Sequence, residues 1–217
     1  RRHFGHTRRR RDSPPAATQT FGVDISMSKL VYALLLLPLL ATSALAQDKP
    51  QVTLHTTHGD MVIELYPDKA PVTVENFLQY ARSGFYDGTR FHRSIRRFVI
   101  QGGGFTADME EKATRDPIIN EADNGLSNDR WTLSMARTND PDSATSQFFI
   151  NTGLNLNLDK RGGNAGYAVF GKVIEGQDVV REINNLPTQT LGFMRDVPKE
   201  KVLIERVTIS EAKAAKP

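Results

Sequence analysis

Along residues 52–55 apolar and polar side chains alternate, with Val52 and Leu54 on one face and Thr53 and His55 on the other. Met61, Ile63 and Leu65 repeat the pattern, and Thr57-His58-Gly59-Asp60 between the two runs is a hairpin signal. At Pro71 the period changes. Val74, Phe77, Leu78 and Ala81 follow the i, i+3, i+4, i+7 spacing of an amphipathic helix that Gly84 stops. Val179, Val180 and Ile183 form a second helical stripe over residues 178–184. Short strand-period runs fill the rest: 90–92, 98–101, 132–135, 147–151, 168–173 and 202–209. The last seven residues, 211–217, read as a solvated tail. Many short strands between Gly, Asn and Asp turns, with two helices and no internal repeat, predict a mainly antiparallel barrel or sandwich.

Charge and leader change the picture in one respect. The 217-residue chain has no cysteine and a formal net charge of +3. Residues 1–46 hold seven Lys/Arg against two Asp/Glu, which leaves 21 basic and 23 acidic groups in residues 47–217. The basic balance therefore belongs to the leader, and a nucleic-acid surface on residues 47–217 is excluded as an expectation. From Met27, Ser28-Lys29 makes a short positive segment, residues 30–40 are apolar around Pro38, and Ala44-Leu45-Ala46 supplies small residues. Residues 27–46 are expected to be a signal peptide cleaved after Ala46, being short and Pro-broken for a membrane span. No membrane association is expected after its removal. Residues 1–26, with Arg8-Arg9-Arg10-Arg11 and no hydrophobic period, are expected to be upstream sequence from a mis-set start. Residues 47–217 form the single expected domain. The absence of cysteine is neutral about compartment; the signal points to export.

Two stretches carry the candidate chemistry: Phe91-His92-Arg93-Ser94-Ile95 leading into Phe98-Val99-Ile100-Gln101-Gly102-Gly103, and Ser146-Gln147-Phe148-Phe149-Ile150-Asn151. Each alternates core-type and polar residues. With Gly166-Tyr167-Ala168-Val169-Phe170-Gly171-Lys172-Val173, and in this order, they resemble the cyclophilins, a family of peptidyl-prolyl cis–trans isomerases. The resemblance covers residues 51–209 and implies a closed eight-stranded antiparallel barrel with a helix over each end, packed inside and binding substrate outside. The compact loops, with Ala113-Thr114-Arg115-Asp116-Pro117 and Asn120-Glu121-Ala122-Asp123, resemble exported bacterial members, so a periplasmic location is expected.

Rotation about an X–Pro bond must break amide resonance, a barrier of ~20 kcal/mol and a rate on the order of 10⁻² per second. Lowering it by ~6 kcal/mol gives hundreds of turnovers per second. No bond is made or cut, so no cofactor, metal or nucleophile is required. A fixed donor for the twisted amide suffices, and arginine is permanently charged and rigidly forked. The resemblance places the catalytic arginine at Arg93, Gln101 as its orienting partner, and Phe98, Val99, Phe149 and Leu158 around a proline pocket. Ala136, Arg137 and Gln147 match peptide-contacting positions, with Arg137 acting mainly through its backbone. His92 and Tyr167 are placed beside them. Neighbours on a strand face opposite ways, so only one of Phe148 and Phe149 can reach the groove; the resemblance makes it Phe149, with Phe148, Phe91, Phe105 and Phe170 in the core.

The sequence also departs from the family pattern. Arg96-Arg97 stand where a Pro-Gly turn is common, Gly104 replaces a common Asp, and Asn157 replaces the aromatic that supports cyclosporin binding. Weak cyclosporin inhibition is expected. Gly102-Gly103-Gly104-Phe105-Thr106-Ala107 fits a dinucleotide fingerprint formally, with Glu121 about 20 residues on, but Pro117 and an Asn-rich stretch follow where a helix is needed. His55 and His58 are read as solvated hairpin residues and no metal site is expected. The expected partners are proline-containing unfolded or partly folded polypeptides, met by a monomer. A rival reading keeps the fold and makes it a proline-peptide-binding chaperone module without catalysis.

Overall fold

In a computed structural model of the chain, residues 49–210 are described. The expected hairpin forms from β1 (Gln51–Thr56) and β2 (Gly59–Leu65), paired so that Val52 faces Ile63 and Leu54 faces Met61. Then come α1 (Pro71–Arg82), β3 (Thr89–Arg90), β4 (Arg93–Ile95), β5 (Val99–Gly102), β6 (Thr132–Met135) and β7 (Phe148–Asn151). A 3₁₀ turn (Leu156–Leu158), β8 (Val169–Glu175), α2 (Gln177–Asn185), β9 (Thr188–Leu191), β10 (Met194–Pro198) and β11 (Leu203–Ser210) complete it. The tail, the leader and the cleavage site lie outside the described residues.

Nine strands form one antiparallel sheet in the order β3-β11-β1-β2-β8-β6-β7-β5-β4. Its two edge strands, β3 and β4, are separated in the chain by Phe91 and His92 alone, so the sheet curls until its edges nearly meet. The single strand expected at 90–92 is two short ones, which turns eight expected strands into nine. β9 and β10 form a separate two-stranded ribbon that alternation does not predict, because all four β9 residues are exposed and neither face needs an apolar set.

The concave side is filled by side chains. Phe77 of α1 meets the rings of Tyr86, Phe148 and Phe170 at 5.1–5.5 Å, and Phe148 meets Phe91 edge-on at 6.2 Å. Each such ring contributes on the order of 1.5–3 kcal/mol by burial, and edge contacts add about 0.5–1.5 kcal/mol. α1 packs against β11, and α2 against β2, β4 and β5.

α1 is capped from a distance. Ala70 precedes α1 and has no side chain for capping, and Pro71 has no N–H to satisfy. The carboxylate of Glu121 instead accepts from the Val72 and Thr73 N–H groups at 3.2 and 2.8 Å and from the Thr73 hydroxyl at 2.6 Å. A carboxylate there also suits the helix dipole. Glu121 is thus a helix cap, and no helix follows the Gly102–Gly104 run, so the dinucleotide geometry is not formed.

The hairpin histidines correct an expectation. The His58 side chain is only 8% exposed, with Nδ1 2.8 Å from Glu182 of α2 and Nε2 3.1 Å from Glu200 without making a hydrogen bond. His55 sits between Asp60 and Thr208. His58 is shielded rather than solvated, because α2 and the segment before β11 close over the turn, and His55 is half-buried. Among the described residues no group of three metal-ligating side chains converges.

Candidate active site

Strand alternation sorts β5 and β7 into two faces. Ile100, Phe148 and Ile150 join the core, whereas Val99 and Phe149 are buried outside it, on the outer face with half-buried Gln101. Antiparallel register sets Gln101 opposite Phe149 on β7 and opposite Arg93 on β4. Arg93 Nη1 donates to Gln101 Oε1 at 3.3 Å, and Gln101 Nε2 donates to Gln147 Oε1 at 3.0 Å. One guanidinium N–H is thereby committed to a relay of two amides, and the remaining fork is available to a ligand.

The relay continues into a wall. The Ala136 N–H donates to Gln147 O at 3.0 Å, and Tyr167 stands edge-on to Phe149 at 5.7 Å. Half-buried Leu158 is tied to it, since the Tyr167 N–H donates to Leu158 O at 2.9 Å. The Arg137 guanidinium lies 4.4 Å over the Tyr167 ring and donates from Nε to Gly166 O. Its side chain is therefore occupied, as a backbone role requires. Phe98, half-buried, precedes β5, and its carbonyl accepts from Thr152 N and Asn155 Nδ2, both at 2.8 Å.

His92 does not join this face. It is 6% exposed, its ring lies 4.6 Å from the Phe105 ring, and it hydrogen-bonds the Arg90 backbone. The chain crosses from β3 to β4 at this point, and the crossing turns the imidazole into the protein. Burial, reinforced by the Arg93 and Arg90 cations, lowers its pKa from 6.5 to about 4 although the Arg90 backbone bond opposes the shift. The neutral imidazole packs against Phe105 inside the protein.

Three supports escape sequence reading. Asn184 of α2 reaches the β4–β5 turn: Nδ2 donates to Ile95 O at 3.0 Å and Ser94 Oγ at 3.2 Å, and Oδ1 accepts from Arg97 N at 2.9 Å. Arg97 has φ +62° there, a left-handed turn formed without the customary glycine. Behind the outer face, buried Asn128, Ser134, Asn151, Asn155 and Asp159 share a hydrogen-bond network that ends on Phe98 O. The glycines are the third. Gly103 has φ +85°, and a Cβ would meet the Phe148 ring at 2.9 Å. At Gly104 a Cβ would stand 2.5 Å from Gln147 Cγ, so this glycine leaves room for the relay's last amide. The Asn side chains in particular carry no sequence signal, because their partners lie on other elements.

Comparison with known proteins bears on the chain and its fold as a whole. Residues 51–209 match the family described as "Cyclophilin type peptidyl-prolyl cis-trans isomerase/CLD". The chain is 54% identical over 177 residues to the peptidyl-prolyl cis-trans isomerase of Acinetobacter baylyi, covering 82% of this chain and 94% of the relative. It is 56% identical over 163 residues to peptidyl-prolyl cis-trans isomerase B of Escherichia coli, covering 74% and 99%. A similar solved structure is a cyclophilin type peptidyl-prolyl cis-trans isomerase of Cryptosporidium parvum, determined in the presence of the dipeptide Ala-Pro. Its TM-score is 0.64 at 30% identity, covering 74% of this chain and 98% of that one.

Proposed function

The chain belongs to the cyclophilin-type peptidyl-prolyl cis–trans isomerases, and from this premise we propose that Arg93 carries its isomerase activity on proline-containing chains in the periplasm. The observation that carries the reading is the Arg93–Gln101–Gln147 relay beside Phe149. The proline ring of a substrate lies against Phe98, Val99, Phe149 and Leu158, with the preceding peptide along Ala136, Arg137 and Gln147. As the X–Pro bond twists, its nitrogen becomes pyramidal and gains a lone pair, which a guanidinium N–H meets. One charged hydrogen bond supplies about 1.5–3 kcal/mol of the ~6 kcal/mol required. The remainder comes from holding the chain on both sides of the rotating bond in twisted geometry. The Gln101 bond keeps the arginine from following solvent.

The clients are unfolded or partly folded exported polypeptides, met by a monomer that acts without nucleic acid or membrane. The support for export is the pattern of residues 27–46, and a processed chain starting at Gln47 on N-terminal sequencing is its test. For the chemistry, a tetrapeptide isomerisation assay compares wild type with Arg93→Ala. Turnover should fall about 10–100-fold, the equivalent of one charged hydrogen bond, while peptide binding persists. Unchanged turnover would remove Arg93 from the mechanism. A wild type that binds the peptide without accelerating its isomerisation would instead favour the reading of a proline-binding chaperone module.

A further inference from the structure

The β9–β10 ribbon stands apart from the nine-stranded sheet, and its tip is Leu191-Gly192-Phe193. Phe193 is 93% exposed and Leu191 45% exposed. The base below them is locked. Val197 and Pro198 are buried, Arg90 Nη2 donates to Pro198 O at 2.7 Å, and the Lys199 N–H donates to Pro187 O at 2.9 Å. The guanidinium of buried Arg90 bonds to two carbonyls, Pro198 and more distantly Ala107, and the first of these moors the ribbon. An anchored ribbon holding an aromatic ring and a leucine in water is a contact surface with its partner missing.

Its position names the partner. β10 packs against β4, the edge strand that carries Arg93. From Phe149 on β7, the elements pass through β5 and β4 to β10, about three strand spacings or roughly 15 Å, and the stretch of ribbon from buried Val197 out to Phe193 adds up to roughly 13 Å. An extended chain covers the whole span in about eight or nine residues. We propose that the Leu191/Phe193 tip binds an apolar segment of the same unfolded polypeptide whose X–Pro bond occupies the Arg93 groove. This rests on the groove reading given above. The tip acts as a second handhold: it raises the local concentration of prolines in long apolar clients and is out of reach for tetrapeptides.

Leu191→Ser combined with Phe193→Ser tests it, since both side chains are exposed and neither belongs to the groove. Tetrapeptide isomerisation and the proline-limited refolding of an unfolded protein client are measured in parallel, with sedimentation at the assay concentration. The expected result is a client kcat/KM at least fivefold lower, carried by KM, with the tetrapeptide value within twofold and Phe193→Leu near wild type. A client kcat/KM reduced by less than fivefold overturns the proposal. So does a parallel fall for both substrates, or a wild-type dimer that the substitutions dissolve, which would make the tip a contact between copies. Arg93→Ala separates the two readings. It should lose tetrapeptide turnover yet still bind a permanently unfolded client through the tip. Retained turnover condemns the groove reading alone, and client binding unaffected by the tip substitutions condemns the tip alone.

Discussion

Lowering the pH from 7 to 4 should destabilise the fold through His92 in particular. In the native state its imidazole is held neutral to about pH 4 by burial, with the Arg93 and Arg90 cations adding to the effect, while an unfolded chain protonates near 6.5. Between these values the unfolded state binds the extra proton, so stability rises with pH and is fully present above about 6.5. Falling pH therefore removes it: about 2 kcal/mol by pH 5 and about 3 kcal/mol by pH 4, a large part of an ordinary domain's stability. The structural cause is visible in Nδ1, which is buried without a hydrogen-bond partner and has nothing to receive a second N–H. Urea unfolding followed by circular dichroism at half-unit steps measures this for wild type and His92→Gln. Carboxylates titrate in both proteins and cancel in the difference. Wild type should lose about 3 kcal/mol more than the variant between pH 7 and pH 4, and parallel curves would refute the buried neutral imidazole. At pH 7 the variant's tetrapeptide turnover should stay within a few-fold of wild type, since His92 is buried against the Phe105 ring.

Asn184→Ala removes the carboxamide that holds the β4–β5 turn and should cost about 2–4 kcal/mol on urea unfolding. It should lower tetrapeptide turnover as well, and Asn184→Asp should restore less than half of it because the lost Nδ2 donor serves Ile95 and Ser94. Full activity at full stability loss would show that the turn does not position Arg93. Gly104→Ala places a methyl against Gln147 Cγ and should raise KM several-fold with little change in melting temperature; an unchanged KM would mean that the Gln101–Gln147 bond is dispensable. Cyclosporin should inhibit weakly, because exposed Asn157 presents an amide where an aromatic ring would be needed. Nanomolar inhibition would refute that reasoning.

Elements whose faces have unlike neighbours were legible in the chain itself. α1 and α2 show their stripes because one side of each meets the core, and β1 and β2 show alternation because one face is dry and the other is not. The opposition of Phe148 and Phe149 follows from the pleat alone, and the motif residues Arg93, Gln101 and Gln147 could be named before any coordinates. The ribbon β9–β10 could not, since a strand wet on both faces has no period to read. Nor could the burial of His92, the capping of α1 by Glu121 or the grip of Asn184 on the turn at Arg97. The last two depend on which polar group meets which across 48 to 90 residues of chain. Periodicity reports how a segment divides itself between core and solvent. Only the packed molecule decides which distant donor a buried acceptor finds.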